Sequence, residues 1–186
     1  MDAETVTFHG LPEQIVVDGD ITLRRMTDAD IPALVDAVNA SLSTLGPWME
    51  WAQQPATVEA QMEWHRASRH MWDMGTAFNW AVLSSSGELL GGAGYHVRNG
   101  PGVVEIGYWL RTDHEGRGIM TRVARALTDV ARGVDGVTCV EIHVDQGNVR
   151  SSAIPRRLGY ALVEVRDVEP LAPAHTGKHE IWRLVL

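Results

Sequence analysis

Two periodicities organise the chain. From Ile31 to Leu45 the apolar residues Ile31, Leu34, Val35, Val38, Leu42 and Leu45 recur every three or four positions, which places them on one face of a helix. Thr27 or Asp28 caps its start and Gly46-Pro47 ends it, so the pattern predicts a single helix between them. A second stripe, Met120, Val123, Ala124, Leu127, Val130 and Ala131, has Arg122, Arg125, Asp129 and Arg132 opposite. It predicts an amphipathic helix seated on a sheet. A third, weaker helix is expected from Thr57 to about Gly75, and a short one after Asn148. Strand-like runs occupy 21–26, 78–84, 89–97, 103–110, 137–144, 161–168 and 179–186, with Asn99-Gly100-Pro101-Gly102 as a turn. Residues 1–20 are read as an N-terminal extension, irregular apart from Ile15-Val16-Val17, and residues 21–186 as one domain. This order of elements predicts an α/β fold, a mixed central sheet with helices on both faces.

The junction between the strand at 103–110 and the amphipathic helix carries Gly116 and Gly118. A helix start leaves backbone NH groups without intrahelical partners and adds partial positive charge, so an anion at Arg117 to Thr121 would be stabilised. Glycine lets a phosphate approach the main chain closely. The loop lacks the Lys-Ser/Thr of a Walker motif and the GxGxxG of a dinucleotide fingerprint. Gly91, Gly92 and Gly94 lie within a strand-like run and read as places where another part of the chain packs closely.

Three segments in this order resemble the GNAT acetyltransferases, in particular the branch that acetylates the N-termini of ribosomal proteins. Glu105-Ile106-Gly107-Tyr108-Trp109-Leu110 is similar to the family's splayed strand. Glu115-Gly116-Arg117-Gly118-Ile119-Met120 is similar to its acyl-CoA pyrophosphate loop, with Glu115 and Met120 departing from the usual residues. Asn148-x-x-Ser151-x-x-Ile154-x-x-Arg157-x-Gly159-Tyr160 is similar to its second CoA motif. The resemblance runs from about Ile21 to the C-terminus and implies a mostly antiparallel, splayed sheet. It also implies acetyl-CoA as cosubstrate, with no metal, and an amine acceptor. Because the diphosphate would be held by backbone NH groups, Glu115 is expected to face solvent.

On that resemblance the pantetheine arm pairs with the splayed strand, leaving main-chain NH groups of Tyr108, Trp109 and Leu110 to meet the acyl carbonyl. Gly116, Arg117, Gly118, Ile119, Met120 and Thr121 would hold the diphosphate. Glu105 is the candidate base, with a pKa raised by partial burial, or else a group that orients the amine or pairs with an arginine. Ser151, with Ser152 as an adjacent candidate, would donate a hydrogen bond to the departing thiolate; the other reading of Ser151 is a helix N-cap. Pro155 lacks an NH and places the regular helix from about Ser152. Asn148 is either a pantetheine ligand or a turn residue. Arg111, Arg117, Arg122, Arg150, Arg156 and Arg157 surround the two CoA motifs, where they would offset acidity beneath a polyanion. The segment Pro47-Trp48-Met49-Glu50-Trp51 is expected to line the acceptor groove together with Tyr108, with Glu50 meeting the amine's charge. Trp80 and Trp72 read as core.

Composition narrows the partners. A formal net charge of −8 argues against nucleic acid and mildly favours a cationic substrate. There is no membrane-length apolar stretch and no basic or apolar leader at the start, which reads as a cytoplasmic protein. The one cysteine, Cys139, sits in a strand-like run and is expected to be a buried, inert thiol. His65, His70, His96, His143 and His175 form no ligand constellation, and His175-x-x-x-His179, with Gly177 between and a strand-like run after it, is not expected to be a metal site. The expected function is acetyl transfer from acetyl-CoA to a primary amine, preferably a protein or peptide N-terminus, by direct attack in a ternary complex. Alternatives are a small-molecule amine acceptor, a succinyl donor, and a CoA-binding sensor without turnover. A homodimer is implied by the resemblance alone.

Overall fold

The computed structural model describes residues 8–186, so residues 1–7 of the expected extension lie outside the described residues. In chain order the strands are β1 (Gln14–Val16), β2 (Ile21–Arg25), β3 (Ala77–Ser84), β4 (Leu89–His96), β5 (Val103–Leu110), β6 (Cys139–Asp145), β7 (Ala161–Asp167) and β8 (Lys178–Val185). The helices are α1 (Ile31–Asn39), α2 (Leu42–Leu45), α3 (Val58–Asp73), α4 (Ile119–Ala131) and α5 (Val149–Arg157). One sheet holds all eight strands in the order β1-β2-β3-β4-β5-β6-β8-β7. Every pairing is antiparallel except β5 with β6. The expected mixed α/β sheet is therefore present.

Alternation along the strands divides the apolar residues between two faces. Phe78, Trp80 and Val82 of β3 join Val104 and Ile106 of β5 and Val123, Ala124 and Leu127 of α4 in the larger cluster. Ala81 lies on the opposite face with Leu34 and Val38 of α1. Tyr95 is buried in the larger cluster, where its hydroxyl donates to the Leu127 carbonyl and so fastens β4 to α4. Cys139 is buried, and burial pushes its thiol pKa up, as an inert core residue requires. Residues 8–20 contribute more than an irregular extension. Phe8, Leu11 and Ile15 are buried, and β1 extends the sheet through Ile15 opposite Leu23.

The helix expected across 27–45 is broken. A 3-10 turn at Asp28–Asp30 leads into α1, and α2 restarts as a separate turn. Ser41 marks the interruption: its buried hydroxyl donates to the Ala37 carbonyl at 2.8 Å and accepts from the Thr112 NH at 3.1 Å. The second bond ties the helix pair to the loop after β5. That long-range partner has no signature in local periodicity, and Ser back-bonding to the preceding turn bends helices.

Candidate active site

β5 and β6 pair only from Val103 opposite Cys139 to Glu105 opposite Glu141. Beyond that point the strands part, and the β5 edge from Ile106 to Leu110 has no strand partner on the β6 side. A cleft of about 600 Å³ runs through the opening, lined on both sides of the split by residues such as Gly107, Tyr108, His143 and Ser151. Alternation puts Glu105, Glu141, His143, Asp145 and His179 on the face that carries α1. Val104, Ile106, Tyr108, Ile142 and Val144 belong with the α4 face. The opening thus joins a charged face to the face with the glycine loop.

On the α4 side Gly116 (φ +75°) and Gly118 (φ +70°) both adopt the left-handed conformation. A Cβ added at either would meet nothing within 4 Å, so the glycines are there for the backbone path and not for packing. Gly118 is the N-cap of α4 and brings no side chain to cap it. Ile119 and Met120 are buried in the core, so their side chains do not crowd the main-chain groups at the helix start. This arrangement fits a diphosphate held by backbone donors. Glu115 departs from expectation: it accepts from Arg150 at 2.6 Å instead of projecting freely into solvent, and so links the loop to α5. Several of the arginines are likewise spent on protein partners. Arg111 is bound by Glu88 and Asp113, Arg122 by Asp18, and Arg117 donates to the Asp113 carbonyl. Their carboxylate partners explain why the motif-flanking arginines do not form one free cationic patch.

α5 begins at Val149, earlier than Pro155 suggested, because Asn148 caps it by accepting from the Ser151 NH at 3.2 Å. Asn148 is therefore the cap, and Ser151 is not. Pro155 cannot donate to the Ser151 carbonyl, and the Tyr108 hydroxyl donates there instead at 3.3 Å. Ser151 Oγ also lies 3.2 Å from that hydroxyl. Burial pushes the Tyr108 pKa up to about 12, so the phenol stays protonated at neutral pH. Tyr108 and Ser151 together line the cleft as paired hydroxyls. Ser152 does not join them. It is 4% exposed and donates to Glu180 at 2.8 Å, inside the packing between α5 and β8.

Glu105 reverses the expected electrostatics. It is buried, and burial alone pushes its pKa up. Hydrogen bonds from Arg98, the charge of His143, and the Asn99 amide outweigh that effect and hold the carboxyl below the usual carboxylate range. Arg98 donates to both carboxylate oxygens, at 2.9 and 2.6 Å, and Asn99 adds a third bond at 2.9 Å. A carboxylate so satisfied is a weak proton acceptor. The orienting reading, with an arginine partner, is what this geometry supports. Behind it Glu141 accepts from Arg183, from His143 Nε2 at 2.7 Å and from Asn99 at 3.1 Å. The two acids thus share Asn99 across the start of the split.

Aromatic side chains from separate elements face the same opening. Trp48, Trp51, Trp64 and Trp109 all line it, and Trp51 meets Trp109 edge-on with centroids 5.9 Å apart. Gly92 makes room for Trp109, since a Cβ there would lie 2.5 Å from the indole Nε1. This bears out the reading of the β4 glycines as close-packing positions. Trp80 is buried, as expected. Glu50 is exposed and does not line the cleft; the 3-10 turn at Glu50–Ala52 buries Ala52 while turning Glu50 outward.

Asp145, His175 and His179 converge with potential ligand atoms within 4.8 Å of one another; the His175-x-x-x-His179 spacing is visible in the sequence, but Asp145 joins it only through the fold. Their hydrogen bonds have another use. His175 Nδ1 accepts from the Leu171 NH and its Nε2 meets the Trp48 carbonyl at 2.9 Å, which occupies both ring nitrogens. Asp145 accepts from the Gly147 NH and from the NH and hydroxyl of Thr176. The cluster braces the loop before β8 against the Trp48 segment and the start of α5.

Residues 20–161 match the family described as acetyltransferase (GNAT) domain. The chain belongs to the GNAT acetyltransferase family. It is an acyl-CoA-dependent N-acetyltransferase. A relative from Bacillus subtilis (strain 168), described provisionally as the ribosomal N-acetyltransferase YdaF, is 28% identical over 150 residues, 77% of this chain and 79% of the relative. Among solved structures, RimL, a ribosomal L7/L12 α-N-protein acetyltransferase in complex with coenzyme A, superposes with a TM-score of 0.85 at 22% identity. That match covers 94% of this chain and 98% of RimL. The microcin C7 self-immunity acetyltransferase MccE, in complex with acetyl-CoA and AMP, superposes with a TM-score of 0.87 at 19% identity, over 94% of this chain and 97% of MccE. Both share the GNAT fold seen here.

Arg98, Asn99 and His143, which hold Glu105, were not read from the sequence as site residues, nor were Trp64 and His96 as lining. The one available signal was register: His96 stands opposite Glu105 in the β4–β5 pairing. Reading it requires knowing that the two strands pair.

Proposed function

We propose that this GNAT enzyme moves an acetyl group from acetyl-CoA to the α-amine of a protein or peptide. The observation that carries the reading is the split between β5 and β6, which opens beside the uncapped, glycine-led start of α4. A pantetheine arm laid along the free β5 edge would have its diphosphate at Gly116 to Thr121 and its acyl carbonyl near the NH groups of Tyr108, Trp109 and Leu110. The cosubstrate supplies a reactive thioester, and the protein's part is to position, polarise and manage protons. Ser151 would turn its hydroxyl from the Tyr108 oxygen to donate a hydrogen bond to the departing sulfur, with Tyr108 fixed behind it by its bond to the Ser151 carbonyl. Glu105, ionised and rigidly held, would orient the incoming ammonium. Trp48, Trp51, Trp64 and Trp109 would wall the acceptor groove.

A peptide acceptor is supported by a groove that opens on the face opposite the cofactor loop, by the description of RimL as a ribosomal L7/L12 α-N-protein acetyltransferase, and by the provisional description of YdaF as a ribosomal N-acetyltransferase. A small-molecule amine is the second reading, favoured by the aromatic walls and by the likeness to MccE. On this reading residues 21–186 act as one catalytic domain in the cytoplasm. No helix among the described residues is long and apolar enough to cross a membrane. A homodimer is supported by β7, an edge strand whose Leu162, Val163 and Val165 are all exposed.

Calorimetry with CoA tests the cofactor half, and thiol release with a panel of N-terminal peptides and small amines tests the acceptor half. Steady thiol production with peptides is expected. CoA binding without turnover of any peptide would overturn the α-amine acceptor, and the absence of CoA binding would overturn the reading.

A further inference from the structure

Acetyl transfer needs a group that takes a proton from the acceptor's ammonium, and the titratable groups facing the cleft can be sorted by what already holds them. Glu105 is spent on Arg98 and Asn99. His143 is bound to Glu141 through Nε2, with Nδ1 3.7 Å from Glu105. Asp145 accepts three donors, and both nitrogens of His175 are occupied. Among the described residues lining the opening, His143 is tied to Glu141 through Nε2 and leaves only Nδ1 unbonded, whereas His96 and His179 make no hydrogen bond to the protein through either ring nitrogen.

Position separates these two. His179 stands opposite Asp145 at the far end of β6, remote from the point where the strands part. His96 ends β4 opposite Glu105, and its ring lies over Gly107, where an added Cβ would be 3.2 Å from Nε2. Gly107 directly precedes Tyr108, on the segment where the free β5 edge begins. The imidazole therefore reaches the charged face of the split beside the place assigned above to the thioester carbonyl.

We infer that His96 is the proton acceptor for the attacking amine, with Glu105 as the fixed anion that holds the ammonium beside it. The inference rests on the proposed acetyl transfer. One proton passes from the ammonium to a ring nitrogen of His96. The freed lone pair forms the N–C bond to the acyl carbon, and the C–S bond breaks with its electron pair leaving on sulfur. The second proton lost by nitrogen matches the one gained by sulfur, so CoA leaves as the thiol, and His96 returns its proton to water. Burial and the charge of Arg98 lower the His96 pKa, with Glu105 opposing, so the ring is neutral and receptive at pH 7. Its other neighbours do not change that balance: Ala77 faces it from β3, and His143, Asp145, His175 and His179 lie across or farther along the opening.

The test is the pH profile of kcat/KM for thiol release by wild type and His96→Gln, with EDTA present to remove adventitious metal. Wild type should lose activity on a limb below the ordinary histidine range, near pH 6.5. His96→Gln should lose about 100-fold at pH 7, with the limb abolished and CoA affinity by calorimetry unchanged. Added imidazole should restore part of the rate. A limb that persists in His96→Gln, or that disappears in His179→Gln instead, overturns the inference while leaving the acetyltransferase reading intact. A wild-type protein that binds CoA but releases no thiol with any amine overturns that reading and the inference together. NMR titration of the wild-type His96 ring gives a readout independent of the variant's folding, and a midpoint away from the kinetic limb also overturns the assignment.

Discussion

The two ends of the cleft are built from different materials. At the proposed cofactor end the groups on offer are main-chain NH groups, at a helix start led by two glycines in left-handed conformation. At the proposed acceptor end they are side chains from β4, β5, β6, β8, α3 and the Trp48 segment, some held by specific partners and some not. Backbone donors are indifferent to side-chain identity, so on our reading Glu115 and Met120 would depart from the family pattern without spoiling the loop. A site made of side chains has no such tolerance. Its chemistry is set by who pairs with whom, as Glu105 demonstrates by turning from prospective base into a committed anion.

The sharpest way to break the contrast is Glu105→Gln. Losing the fixed charge should misplace the acceptor and lower kcat/KM by about 100-fold. Because Glu105 is not the base on our reading, the acidic limb of the pH profile should remain, and calorimetry should show unchanged CoA affinity. Disappearance of the limb would return the base role to Glu105. The converse substitution, Gly118→Val, should weaken CoA binding by about 10-fold, since a β-branched residue is strained at positive φ by at least 1–2 kcal/mol. Acceptor selectivity, measured as the ratio of kcat/KM between two peptides, should not move.

Gly92→Val probes the acceptor wall alone. Its side chain would displace the Trp109 indole, and the acceptor KM should rise several-fold, on the order of 1 kcal/mol for an overpacked contact. A matching loss of CoA affinity would show that the two ends are not separable. The smallest effect concerns α3, which carries Trp64. His65 is buried, its two ring nitrogens lack hydrogen-bond partners, and Nε2 lies 3.2 Å from Asp28. Burial lowers its pKa, against the opposing charge of Asp28. The folded state therefore binds the proton less well than the unfolded chain, so stability is intact above the unfolded value near pH 6.5 and declines below it. Hydrogen exchange at mildly acidic pH should rise in α3 before α4, and His65→Leu should weaken that difference.

Legibility followed the same division. The α4 stripe, the glycine loop and the order of strands were readable because each is a local pattern: a period of 3.6 or 2, or a φ that glycine alone adopts readily. The break at Ser41 was not, since it depends on a bond to Thr112 on another element. Ser152 and Asn148 show the limit within one motif. Two polar residues four positions apart were divided between a buried bond to Glu180 and a helix cap by which way α5 faces. Glu105 was visible as a carboxylate on the splayed strand, but the sign of its pKa shift came from Arg98 and Asn99 across the β4–β5 turn.

Local sequence by itself determined where an anion can be held, because unsatisfied NH groups at a helix start follow from the chain's own geometry. Tertiary structure decided which acids and imidazoles remain available for chemistry. A proton acceptor is defined by its unspent hydrogen bonds and its dielectric surroundings, and both are properties of the neighbours that folding brings to it.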